Sequence, residues 1–212
     1  MGTKERRERE RDAVRTKILD AARSLFAAQG YEGVSMRAIA EQIEYSPTLI
    51  YQYFKDKETL IKELCYADFA TLAVSLNNTL QIADPIERLK QCGREYVKFA
   101  IAYPNHYRLM FMTPLPVKGD KAEWEERHGK PETDAYAFLV MLVQKAAEAG
   151  GLRDKNADAD LVAQTLWAGL HGMIALEIVM GCDEEWAIWK PLPMRTEAML
   201  DALSGGLFAE AR

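Results

Sequence analysis

Apolar residues recur three and four positions apart along most of the chain, and no stretch alternates β-branched and aromatic residues with a period of two, so the pattern predicts an all-α fold of about nine helices. From about Arg11 to Gln29, Ile18, Ala22, Leu25 and Phe26 line one face, and Gly30 stands where a left-handed C-terminal cap belongs. Ser35 can cap a short second helix carrying Met36, Ile39, Ala40 and Ile43 at core spacing. Ser46 followed by Pro47 repeats that logic and opens a third helix through Phe54, which Lys55-Asp56-Lys57 breaks. A fourth helix is expected from about Lys57 to Ile82. Asp84-Pro85 starts a fifth that reaches Tyr103 and stops at Pro104. A short helix over His106 to Met112 precedes 113–131, a loop or lid rich in proline, glycine and charge. Helices then fit Glu132 to Ala149, Ala159 to Met180 and Met194 to Phe208.

The chain has 212 residues, more than one typical domain and fewer than two large ones, which suits a small module fused to a larger one. The expected boundary puts an arm and a three-helix module in 1–57 and a larger helical domain in 58–212, joined by the fourth helix. A composition of 49% apolar and 28% charged residues fits a soluble globular chain. Cys65, Cys92 and Cys182 form no close pair, so neither a disulfide framework nor a zinc knuckle is expected, and the expected compartment is the reducing cytoplasm. The charged start has no apolar stretch behind it and is no secretory signal; no apolar run is expected to cross a membrane. A net charge of −5 excludes a protein whose whole surface coats nucleic acid. It leaves room for a local reader, because through Glu63 there are 12 Lys and Arg against 11 Asp and Glu, and beyond it 15 against 21.

Two short helices joined by a brief turn and packed on a longer one can set a recognition helix into a DNA major groove. In the third helix Ile50 and Phe54 can face the core, leaving Pro47, Thr48, Leu49, Tyr51 and Gln52 outward. Thr48 or Leu49 can touch a thymine methyl, Gln52 can bond an adenine edge, and Tyr51 can reach a phosphate. Lys57 adds charge at a helix N-terminus that already attracts phosphate. The arm Lys4 to Arg15 reads either as a solvated helix end or as a segment inserted into the minor groove.

The stretch from Gly30-Tyr31-Glu32-Gly33-Val34-Ser35-Met36-Arg37 through Ser46-Pro47-Thr48-Leu49-Ile50-Tyr51-Gln52-Tyr53-Phe54-Lys55-Asp56-Lys57 resembles the tetracycline-repressor (TetR) family of bacterial transcriptional regulators. The resemblance implies that Ser35 and Arg37 lie near the DNA backbone. It implies too that Pro47 to Leu49 and Gln52, behind the cap residue Ser46, face bases, while Tyr51, Tyr53 and Lys57 hold phosphates. Tyr53 reads equally as a core residue beside Phe54. Where the family has glycine in the turn between the two helices, this chain has Glu44, which must accept a left-handed backbone or reshape the turn.

One recognition helix per chain implies a homodimer on a palindromic double-stranded operator. Ala168, Gly169 and Gly172 allow close backbone approach. With Met173, Leu176 and Met180, and with Met199, Leu203 and Leu207 of the last helix, they suit a four-helix dimer interface; packing inside one subunit is the alternative. Trp167-Ala168-Gly169-Leu170-His171-Gly172, with Tyr96 to Ala100 and Tyr103 to Phe111, resembles the sensor domain of the WHG subgroup of that family. The resemblance implies an apolar pocket for a small-molecule effector, assembled from Phe69, Phe99, Tyr103, Tyr107, Met110, Phe111, Phe138, Trp167 and His171. Trp186 and Trp189, near Cys182, can close such a pocket or cover the dimer seam.

No metal, cofactor or catalytic residue is expected. His106, His128 and His171 belong to no metal motif, there is no phosphate loop, and Gly-Leu-His-Gly carries no serine. The expected function is a one-component, ligand-responsive repressor. The competing reading is a helical small-molecule-binding protein whose helix-turn-helix is only architectural.

Overall fold

A computed structural model describes residues 3–114, 129–154, 156–181 and 187–209. Most of the expected lid, His128, Cys182 and Trp186 lie outside the described residues. The described chain forms nine α-helices: α1 (Thr3–Gly33), α2 (Met36–Gln42), α3 (Pro47–Tyr53), α4 (Lys57–Asn77), α5 (Pro85–Ala102), α6 (Pro104–Phe111), α7 (Ala135–Glu148), α8 (Ala159–Met180) and α9 (Leu192–Leu207). A 3-10 turn over Asn78–Gln81 follows α4. Among the described residues the only extended pairing is an isolated bridge between Leu152 and Phe208.

Local chemistry fixes most of these ends. Ser35 Oγ accepts from the Ala38 amide at 3.1 Å and Ser46 Oγ from the Leu49 amide at 3.3 Å, so both short helices open on a hydroxyl cap. Asp84, Asp134 and Asp158 cap α5, α7 and α8 in the same way. Gly30 adopts φ 72° and ψ 173° and breaks α1, as its position predicted. At the other end, α1 begins at Thr3 rather than near Arg11. The charged arm has no apolar face, but arginine and glutamate are good helix formers, and Arg6 pairs with Glu10 one turn on, at 3.4 Å.

Two compact units emerge. The first holds the described residues through Asp68 together with 105–114; the second holds Phe69–Pro104 and the described residues from 129 onward. The first unit centres on Ile18, Ala22 and Phe26 of α1, Ile39 and Ala40 of α2, Ile50 and Phe54 at α3, Leu60, Ile61 and Leu64 of α4, and Leu109 of α6. Through this core runs one polar thread. Asp68 of α4 is 1% exposed, and Arg23 of α1 donates to both its oxygens from Nε at 3.1 Å and to Oδ1 from Nη2 at 2.8 Å. His106 Nδ1 of α6 lies 3.0 Å from the same carboxylate, and Arg23 also reaches Asp20 at 2.7 Å. Burial opposes the Arg23 charge, yet the bonds and charge of Asp68 and Asp20 raise its pKa. Removing one partner of such a buried pair costs about 3–5 kcal/mol, because the other is left uncompensated.

In the second unit α5 is central and packs on α7, α8 and α9. Gly93 makes this possible: a Cβ there would sit 2.7 Å from Leu200 and 3.0 Å from Leu170. Arg94 of α5 clamps Glu197 of α9 with two bonds, at 2.8 and 2.9 Å, and Lys90 reaches Asp201 at 2.8 Å. In both units the described thiols are inert: burial pushes Cys65 and Cys92 up to about 12, so neither is a reactive thiolate. Contrary to expectation, one helix is long and apolar enough to cross a membrane by length and composition: α8, of 22 residues. The reason is that α8 is apolar on two sides. Val162, Ala163, Leu166, Leu170, Met173 and Ile174 are buried, while Leu161, Leu176 and Val179 are exposed.

The turn between α2 and α3 meets the requirement read from Glu44. That residue adopts a left-handed φ of 59°, its amide donates to Glu41 O at 3.2 Å, and the Tyr45 amide donates to Ala40 O at 2.9 Å, the paired bonds of a Schellman cap. The turn therefore keeps glycine geometry without glycine. Glu44→Gly is expected to raise stability by about 1 kcal/mol, the cost of a side chain in that region, read as a higher denaturant midpoint at unchanged slope.

Candidate nucleic-acid interface

The third helix presents two unlike sides. Ile50 and Phe54 are buried, and the Phe54 amide closes the helix on Ile50 O at 3.0 Å. Pro47, Thr48, Tyr51 and Gln52 are exposed, with Tyr51 at 55%, and Leu49 is half-buried. The sorting predicted from spacing is observed for all but Leu49, which is partly covered. A large aromatic held out in water beside a hydroxyl and an amide, on a backbone fixed by a cap and two buried anchors, presents apolar and hydrogen-bonding groups to a groove with little left to order on binding. Ser35 and Ser46 lie exposed at the N-termini of α2 and α3, their hydroxyls already committed to capping. Arg37 is exposed and paired with Glu41 at 2.8 Å. That carboxylate raises the Arg37 pKa, so the guanidinium is fully charged.

Tyr53 takes one of the two roles read for it, and Lys57 departs from its expected one. Tyr53 is half-buried against the core of the first unit, and Arg11 of α1 stands 5.9 Å from the centre of its ring, which favours the packing role. Lys57 is turned inward. Its ammonium donates to Tyr31 O and to Val34 O, both at 2.9 Å, and lies 4.1 Å from the centre of the Tyr31 ring. Those carbonyls follow the break at Gly30, where the ladder of helical bonds is interrupted between α1 and α2. Lys57 thus fastens α4 to the α1–α2 joint. Arg15 performs a similar office at the C-terminal end of α3: it pairs with Glu63 of α4 and stands 5.4 Å over the Phe54 ring. Neither role is legible in the sequence, because the partners are distant along the chain.

The residues expected to line an effector pocket divide between the units. In the first, Tyr107 is fully buried and its ring stands 5.0 Å from that of Phe111; Met110 and Phe111 are half-buried. In the second, Phe99 is buried and pairs with the exposed Tyr103 at 5.4 Å, Phe138 is fully buried, and Phe69 is half-buried. Trp167 and His171 project together as their spacing predicted, with rings 6.2 Å apart. Two further residues, which spacing alone does not mark as pocket residues, join them. Trp167 Nε1 donates to Tyr96 Oη at 2.9 Å, and the Tyr136 ring lies 6.2 Å from Trp167 while its hydroxyl donates to Asp160 at 2.7 Å. Burial lowers the His171 pKa, so this wall carries a neutral imidazole at neutral pH. Among the described residues no group of three potential metal ligands occurs.

Of the expected interface residues, Ala168, Gly172 and Leu176 lie on the outer face of α8. Gly169 and Met173 do not. Gly169 receives Leu203 and Met199 of α9, where a Cβ would meet them at 2.9 and 3.3 Å, and Met173 is buried in the same subunit. Met180, Met199, Leu203 and Leu207 are half-buried.

A capped two-helix unit that exposes one side of its second helix, in a chain whose described residues are helical, is a helix-turn-helix. Residues 18–64 match the model of the bacterial regulatory proteins of the tetR family, and 89–189 match the tetracyclin repressor-like C-terminal domain. The chain belongs to the TetR family. It is 39% identical over 59 residues to the HTH-type transcriptional regulator UidR of Escherichia coli, a match covering 28% of this chain and only 30% of UidR. With the HTH-type transcriptional repressor SCO4008 of Streptomyces coelicolor it shares 27% identity over 180 residues, 82% of this chain and 88% of that one. Among solved structures, the SmeT–triclosan complex has the same fold, with a TM-score of 0.71 at 18% identity, covering 94% of this chain and 93% of that one.

Lys57→Met keeps the stem over Tyr31 and removes the charge and both carbonyl bonds. It is expected to lower the unfolding free energy by about 2 kcal/mol, measured by denaturant titration. A residue serving only to hold phosphate would leave that value unchanged.

Proposed function

We propose that the protein is a homodimeric, one-component repressor that binds a palindromic double-stranded operator through α3 and releases it when a small, largely apolar effector binds. One observation carries this reading: the outward side of α3, with Thr48, Tyr51 and Gln52 exposed on a helix whose other side is anchored by Ile50 and Phe54. Exposed Thr48 and Gln52 are ordinary for any surface helix, but a large aromatic such as Tyr51 held in water beside them is what an architectural helix-turn-helix would not require. Family membership supports the same reading, as do the repressor SCO4008 among the relatives and the triclosan complex of the structural neighbour SmeT.

Pairing rests on α8. Its exposed Leu161, Thr165, Ala168, Gly172, Leu176 and Val179 follow a three- and four-residue repeat, the seam along which two helices pack. A lone chain would leave that apolar stripe in water. For the effector, the Trp167–His171 group with Tyr96 and Tyr136 supplies an aromatic wall with a few polar tips, suited to an uncharged or aromatic molecule. In this reading 1–57 is the DNA-binding module and 58–212 the sensing and pairing domain, and effector binding favours a dimer whose recognition helices are wrongly spaced.

The operator is accessible by selecting bound fragments from genomic DNA. On such a fragment the Thr48→Ala/Tyr51→Ala chain should bind about 10- to 100-fold more weakly in a fluorescence-anisotropy titration, with its melting temperature unchanged. Unaltered affinity would establish the architectural alternative instead. Leu176→Lys places a charge in the seam and should raise the dimer dissociation constant on the order of 100-fold in sedimentation velocity.

A further inference from the structure

The N-terminal part of α1 takes no part in packing the core. Residues Lys4 to Ala13 are all exposed, and only at Val14 and Arg15 does the helix become half-buried, so more than two helical turns stand clear of the rest of the first unit. Their charges are sorted by face. Lys4, Arg7, Arg11 and Arg15 follow one another at three- and four-residue spacing and form a single basic row, while Glu5, Glu8 and Asp12 form a separate acidic one. Glu10, at the edge of the basic row, pairs with Arg6 on its far side.

The direction of that row is fixed by its inner members. Arg11 stands over Tyr53 and Arg15 over Phe54, so this face of α1 looks toward the C-terminal end of α3, the helix that exposes Tyr51 and Gln52 elsewhere on its surface. Arg15 is engaged by Glu63, whereas among the described residues Lys4 and Arg7 have no ion-pair partner. From Arg11 to Lys4 the axis rises about 10 Å at 1.5 Å per residue, a span that meets two or three phosphates of one strand. The outer part of this helix is polar all round, and from Lys4 to Arg7 its basic row has no apolar surface of the protein to cover.

We propose that the helical arm is a second DNA-contacting surface, on which Lys4, Arg7 and Arg11 track the sugar-phosphate backbone next to the half-site read by α3. The inference rests on the operator-binding reading above and adds to it a contact that is blind to sequence. Arm and α3 therefore have separable signatures: phosphate contacts set affinity and salt dependence, while base contacts set preference among sequences.

The test uses the full chain with two probes, a genomically selected fragment and a duplex of the same length and shuffled sequence, titrated by fluorescence anisotropy between low and physiological salt. Lys4→Gln/Arg7→Gln should weaken binding to both duplexes by about tenfold at low salt and flatten the plot of log affinity against log salt by about 2, leaving the ratio between the two duplexes unchanged. Arg6→Gln/Arg9→Gln removes the same net charge from other faces and should change affinity less than about twofold at physiological salt, where distant charges are screened. Equal losses from both pairs, or no loss from the first, overturns the arm contact while the wild-type chain still binds its fragment. A wild-type chain that binds neither duplex overturns the operator reading and the arm contact with it.

Discussion

A helix of seven residues cannot hold itself in water, and α3, with seven, is the element on which the proposed DNA reading depends. It buries only Ile50 along its length and Phe54 at its end, so its position has to be imposed from outside. The first unit supplies that imposition with polar fasteners around a small apolar core. Ser46 stops one end, Arg15 stacks on the other, the left-handed corner at Glu44 sets the direction in which α3 starts, and Lys57 ties the following helix to the joint behind α2. The side chains left on the outer surface are then those that the fastening does not use.

What can be read from the chain follows the range of the interactions. Caps and breaks are local, and Gly30, Ser35, Ser46-Pro47 and Asp84-Pro85 announce them, as spacing announces the inward position of Ile50 and Phe54. The full extent of α1 escapes a reading based on apolar faces, because the arm has none, although the same residues favour a helix. Lys57 reads as a phosphate ligand from its neighbours; the two carbonyls it serves come from positions far upstream and meet it only through folding. Trp167 and His171 share a face by spacing alone, but Tyr96 and Tyr136 join them through tertiary packing that no local rule contains.

The small residues of α8 show how one sequence signal divides into two uses. Gly169 admits the side chains of α9, and Gly172, one turn on, has open space where its side chain would be. Composition treats them alike. Their neighbours decide which packs inside the second unit and which lies on the outer face, and the same division explains why α8 is apolar enough to satisfy the arithmetic of a membrane span.

The trio of Arg23, Asp68 and His106 has a bearing on how this lineage can vary. Each member stands on a different helix, and the carboxylate at the centre is almost wholly withdrawn from solvent. A drifting sequence that replaces Arg23 or Asp68 alone strands charge in the interior, whereas an apolar set of equal volume would be tolerated if the changes arrived together. The positions are thereby coupled in inheritance, and descendants are expected to carry the whole set or none of it.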